Sequence, residues 1–193
     1  FRERKAESDS ASVTCMVTSR LEPGQLVRRD DDVEVAAQML RVIQALHEVR
    51  DLMGGTVHGR ALKEVLWFQW EQPRLPRPLV NGKYPFAYPW SAQAREIWHR
   101  SPSRSGRPGQ ILIEHIVPKR ELLAKIVEET ESLTVERLLD LLREAHSAVV
   151  ISKEEDNLVT KAGWAHRSPD PTDVWARYRS AGLDVAGFAP LTT

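Results

Sequence analysis

Cysteine is almost missing from this chain: Cys15 stands alone among 193 residues, which excludes an internal disulfide and the four-cysteine zinc knuckle that braces some small nucleases. Long apolar runs are missing too. Nothing approaches the roughly 18 consecutive apolar residues of a membrane-spanning helix, and the opening residues carry no apolar segment of signal-peptide type. Neither sign of charge dominates, since 27 Lys and Arg cancel 27 Asp and Glu, so a polyanionic partner would have to be met by basic residues segregated on one face. The expectation is a cytoplasmic protein with no membrane partner. The chain begins at Phe1 rather than at methionine, which reads as a fragment or a trimmed chain and leaves room for a missing N-terminal partner domain. The partners expected are nucleic acid, DNA first, with a homodimer as an alternative to the missing domain.

With 41% apolar residues the chain can build one sizeable core and a smaller appended lobe. Residues 1–30 are polar and read as irregular, with one strand or extended arm over 12–18. From Asp30, Asp31 or Asp32, each able to cap, apolar positions Val35, Met39, Val42, Ile43, Leu46 and Val49 recur at helical spacing until Gly54 and Gly55. A second helix is predicted over 60–70 with Leu62, Val65, Leu66 and Phe68 inward. Pro73, Pro76, Pro78, Pro85 and Pro89 then forbid continuous helix or central strand, while Tyr84, Phe86, Tyr88 and Trp90 alternate on one face of an extended segment. Ser91 can cap a short helix to His99. Residues 101–109 form a loop rich in breakers that contains Arg104 and Arg107 and no acid.

Residues 110–118 are β-branched and bounded by Gly109 and Pro118, so a strand ending at the proline is predicted. Helices follow over 119–129 and 134–145, the second with Ser132 or Thr134 as cap and Val135, Leu138, Leu139, Leu141 and Leu142 as its stripe. A second strand over 147–152 leads into a short helix from Lys153 that Gly163 can end. A last helix runs from Thr172 to about Ala181, capped by Thr172 or Asp170 and stopped by Gly182.

A strand carrying an acid and a histidine, followed later by a strand-to-helix element carrying an amide, is a coherent device for cutting phosphodiesters. A base must activate water, and a divalent cation must stabilise negative charge on the phosphate and the leaving oxygen. Imidazole, with an ordinary pKa of about 6.5, suits the base role. Adjacent strand residues point to opposite faces, so Glu114 and His115 meet at one point only if the strand breaks before Pro118. Glu114 offers the hard oxygen that Mg²⁺ prefers, and the Asn157 carbonyl or the Asp156 carboxylate can complete the protein's ligands.

Glu114-His115-Ile116-Val117-Pro118 resembles the Asp-His-Ile-Val-Pro segment opening many HNH endonuclease domains, including those of RNA-guided CRISPR nucleases, and Val150 to Asn157 with Lys161 is similar to that family's second strand and helix start. The likeness covers about residues 110–163. It implies a metal-dependent endonuclease acting on DNA ahead of RNA, in restriction, phage defence or as a toxin. Its residues would be His115 as base, Glu114 and Asn157 on Mg²⁺ or Mn²⁺, and Lys161 on phosphate. Glu stands where Asp or His is commoner, and the family's intermediate Asn, which steadies the histidine, has no clear counterpart, His146 lying closest.

The expected architecture is α+β, mostly helical: an N-terminal helical and irregular region (1–100), a ββα-metal core with a helical insertion (101–165), and a C-terminal helix and tail (166–193). Arg104, Arg107, Lys119 and Arg120 bracket the proposed site as phosphate contacts. His146 reads as a helix C-terminal residue favoured by the dipole, His166 as a further metal candidate and His47 as a core-edge residue. Trp67, Trp70, Tyr84, Phe86, Tyr88 and Trp90 can either stack on unpaired bases or pack helices together. The alternative function is a non-catalytic protein- or nucleic-acid-binding module on a nuclease-like core, and a weaker one is a hydrolase of another phosphate ester.

Overall fold

The computed structural model describes residues 22–100, 109–170 and 172–192; the arm expected over 12–18 and the arginine loop carrying Arg104 and Arg107 lie outside them. The fold is α+β and mostly helical. In chain order its elements are β1 (Gly24–Gln25), α1 (Asp32–Glu48), α2 (Arg50–Met53), α3 (Gly55–Val65), a π-helical turn (Leu66–Glu71), α4 (Gln72–Arg74), β2 (Leu79–Val80), β3 (Tyr84–Pro85), α5 (Ala92–Arg100), β4 (Ile111–His115), α6 (Lys119–Glu129), α7 (Val135–Ala145), β5 (Ser147–Ser152), α8 (Lys153–Lys161) and α9 (Ala176–Ser180). Among the described residues, no helix is long and apolar enough to cross a membrane.

β5 is the central strand of an antiparallel sheet ordered β1-β5-β4. Beyond β1, Trp90 continues the same edge, where Ser91 N–H donates to the Val150 carbonyl at 2.9 Å. The sheet has a core on each face. Ile111, Ala148 and Val150 pack under Tyr88 and Trp90 of the proline-rich segment, and Val149 and Ile151 pack against Trp175, Tyr178 and Phe188 of the C-terminal region. A third core joins α1, α3, α6 and α7.

Local chemistry places most of these elements. Thr134 caps α7 by accepting from Arg137 N–H at 3.2 Å, and Ser91 caps α5 by accepting from Ala94 N–H at 3.0 Å. At α8, Ser152 and Glu155 form a reciprocal capping box. Glu155 also accepts from the Ser91 hydroxyl at 2.5 Å, which ties α5 to α8.

Four expectations need correction. Among the described residues no side chain caps α1, because Asp31 is taken by Arg29 and Asp32 is buried against Arg74 at 2.8 Å. The α1 stripe runs through Ala36, Met39, Leu40 and Ile43, and Val49 is exposed. Phe68 faces outward at 57% exposure: it lies two positions from both Leu66 and Trp70, so it points away from their buried face. The C-terminal helix is cut to Ala176–Ser180, since Asp170 accepts from Thr172 N–H and Asp173 from Trp175 N–H, giving the backbone a turn in place of helix.

Candidate active site

β4 stays regular through His115, which pairs with Ala148. The pleat therefore sends His115 to the face shared with Ile111 and Ile113, and Glu114 to the opposite face. The break that would let the pair straddle a point comes only after His115, where the chain turns into α6. Both side chains nevertheless line one groove of about 290 Å³ at the strand's end, together with Lys63, Lys119, Arg120 and His166.

On the His115 face, Nε2 lies 3.2 Å from Glu71 Oε2, and Lys119 Nζ lies 2.8 Å from the same oxygen. Glu71 ends the π-helical turn, in which Gln72 N–H reaches back five residues to the Trp67 carbonyl. The extra residue in this turn brings an acid beside Trp70 into the interior. Burial alone would raise the Glu71 carboxyl, but the hydrogen bond from His115 and the nearby charges of His115 and Lys119 hold it down at about 2. With Glu71 ionised, its carboxylate accepts and His115 Nε2–H is the donor in this bond. Behind the pair lies His146, ring centroid 6.2 Å from that of His115; burial pushes its pKa down to about 3, so it is neutral. His146 and Glu71 thus stand where the sequence offered no partner to steady the histidine.

On the Glu114 face, the carboxylate pairs with Arg177 of α9, which is 1% exposed and also donates to the His115 carbonyl at 3.0 Å and the Ile116 carbonyl at 3.2 Å. Burial raises the Glu114 carboxyl, with Arg177 pulling the other way. In α8, Asp156 pairs with Lys153, and Asn157 is exposed with no hydrogen bond to Glu114 or His115. Lys161 is exposed in the last turn, where positive charge suits the helix dipole.

These positions decide which residues fit a metal. Glu114 faces an arginine, Asp156 faces a lysine and Asn157 faces solvent, so the expected donor set does not fit a cation as it stands. Among the described residues, the group of acids and histidines with converging ligand atoms is Glu71, His115 and His146, all within 4.8 Å of one another.

A second groove, of about 360 Å³, adjoins the first through Lys63, Ile113, His115 and Lys119 and extends over Trp67, Phe68 and Lys83. Lys83 and Lys119 hold their ammonium groups 5.9 Å and 5.4 Å from the Trp67 ring. Of the aromatic segment, Trp70, Tyr88 and Trp90 are buried core residues and take no part in either groove. Trp67 and Phe68 are the rings that face the site.

No protein-family model, curated protein or solved structure matches the chain. The site therefore speaks through its geometry. Glu71 and Arg177 were absent from the sequence-derived site. Glu71 carried one usable signal: it is the lone acid between Glu64 and Glu96, set among aromatics and prolines.

Proposed function

We propose that the chain is an HNH-type phosphodiester hydrolase acting on nucleic acid, DNA ahead of RNA, with His115 as general base and Glu71 as the carboxylate that holds it. One observation carries this reading: a buried acid 3.2 Å from His115 Nε2, at the wall of a groove whose other polar side chains include Lys63, Lys119 and Arg120. The antiparallel β4-β5 pair followed directly by α8 supports the ββα likeness. In the proposed step, His115 Nδ1 takes a proton from water. The water oxygen bonds to phosphorus, the bond from phosphorus to the leaving sugar oxygen breaks, and that oxygen takes a proton from solvent. Glu71 stabilises the imidazolium that forms. Lys63, Lys119 and Arg120 lower the cost of charge on the phosphate. Mg²⁺ or Mn²⁺ is the ion the resemblance implies; Glu114 is paired with Arg177, Asp156 with Lys153, and Asn157 faces solvent, so the ion takes no part in the proposed step. Plasmid incubated with Mg²⁺ or Mn²⁺ should be cut by the protein and left intact by His115→Ala; equal cutting by both would end this reading.

The commitment of Glu114 to Arg177 favours a second reading, a non-catalytic nucleic-acid-binding module that keeps the cationic groove. It predicts oligonucleotide binding without cleavage, and binding unchanged by His115→Ala.

A further inference from the structure

Two buried polar atoms in the Glu71, His115 and His146 group have no hydrogen-bond partner among the described residues: Glu71 Oε1 and His146 Nε2. Their residues are 2% and 4% exposed. A buried acceptor oxygen and a buried imidazole nitrogen, both unpartnered, belong to a group whose ligand atoms lie within 4.8 Å of one another, and a cation is the ligand that would engage all of them. The spacing agrees. Two ligands on a tetrahedral ion with bonds of about 2.0–2.1 Å stand about 3.3 Å apart, and His115 Nε2 lies 3.2 Å from Glu71 Oε2. Donor type narrows the ion, because two imidazoles and one carboxylate suit Zn²⁺ and its neighbours, whereas Mg²⁺ and Ca²⁺ prefer oxygen alone. Lys119 already holds a positive charge 2.8 Å from Glu71 Oε2. Its side chain is 26% exposed and lines both grooves, so it can withdraw and leave a fourth position open to the groove.

We propose that Glu71, His115 and His146 bind a borderline divalent transition metal, Zn²⁺ first, and that its arrival switches hydrolysis off by taking His115 out of proton transfer. The binding half stands on these three side chains alone; the switching half rests on the base role proposed above. Occupancy ties up the imidazole that must accept the proton from water and neutralises the carboxylate that stabilises the imidazolium. The site is distinct in place and donor chemistry from the Glu114, Asp156 and Asn157 set.

The test uses the full chain, stripped of metal, with Cys15→Ser so that the lone thiol contributes nothing. Co²⁺ as a spectroscopic probe should give the visible bands of a low-coordinate nitrogen and oxygen site. Zn²⁺ at a hundredfold excess over its Kd should raise Tm by about 5–10 °C. His146→Gln and Glu71→Gln, first shown by circular dichroism to be folded, should each weaken metal affinity about 100-fold and so cut the Tm gain at that Zn²⁺ concentration to about 1 °C, and Lys119→Ala should strengthen binding by removing a competing cation. Absent Co²⁺ bands, or bands and Tm gains that survive in both His146→Gln and Glu71→Gln, would overturn the site. Plasmid cutting is scored separately, and Zn²⁺ should inhibit it at the concentration that raises Tm. Cutting that continues at saturating Zn²⁺ overturns the switch, whereas Co²⁺ bands in a protein that never cuts plasmid leave the site standing and remove the hydrolase reading.

Discussion

Replacing Glu71 by Gln keeps the shape of the side chain and removes its charge. The size of the effect follows from the ionisation of the native carboxyl, held at about 2 against an ordinary 4.5. At about 1.36 kcal/mol per pH unit, that distance corresponds to about 3 kcal/mol favouring the ionised form in the folded state. The folded pKa is depressed, so this stability is present above about pH 4.5 and is lost as pH falls toward 2. Glu71→Gln should therefore lower stability at pH 7 by up to about 3 kcal/mol and flatten the stability profile between those limits. If the same carboxylate stabilises the imidazolium in the transition state, losing about 3 kcal/mol there slows kcat about 150-fold. KM should hardly move, because Glu71 is 2% exposed and lines neither groove. Urea denaturation gives the first quantity and cleavage kinetics the second. A folded, destabilised Glu71→Gln with kcat within about threefold of the parent would show that Glu71 is structural and that the proposed dyad is not the catalytic base.

Three further outcomes follow. His146 is buried neutral with its pKa pushed down to about 3, so the unfolded chain binds the extra proton first, and stability should fall by up to about 1.4 kcal/mol per unit from about pH 6.5 toward pH 3, flattening in His146→Gln; a level urea midpoint between pH 7 and pH 5 contradicts this. Gly24→Ala should destabilise by roughly 1–3 kcal/mol, since a Cβ there would lie 2.2 Å from the Tyr88 ring, which is 1% exposed and cannot retreat; an unchanged Tm rules out that packing. Phe68→Ala should leave Tm unchanged, the ring being 57% exposed, while weakening a single-stranded oligonucleotide about 5- to 150-fold if a base stacks on it; anisotropy titration on the catalytically inert His115→Ala background reads this, and equal affinities exclude stacking.

The elements legible in the sequence are those specified by neighbours in the chain. The β-branched run closed by Pro118, the leucine period of α7 and the caps at Ser91 and Thr134 all appear where short-range chemistry places them. What escaped depends on distance along the chain or on competing local bonds. The contact between Glu71 and His115 joins residues 44 apart through a π-helical turn with no plain signature. Arg177 meets Glu114 across 63 residues, and nothing near either one in sequence announces the other. The truncated α9 shows the reverse fault: Thr172 and Gly182 do mark the ends of a helical pattern, but the Asp170 and Asp173 side chains win the first turns. The pentapeptide from Glu114 to Pro118 does span the end of a strand. The pleat then separated its acid from its histidine and gave each a buried partner the motif did not contain.

Chemical rescue is the most direct measurement of the base role. His115→Gly removes the imidazole beside Glu71 and opens a space onto the groove. Free imidazole added to this folded variant should restore plasmid cleavage in a saturable way, and should do so far less in His115→Gly combined with Glu71→Gln. Cleavage by His115→Gly at the parent rate, or a folded variant that no concentration of imidazole revives, would contradict the assignment of His115 as the base.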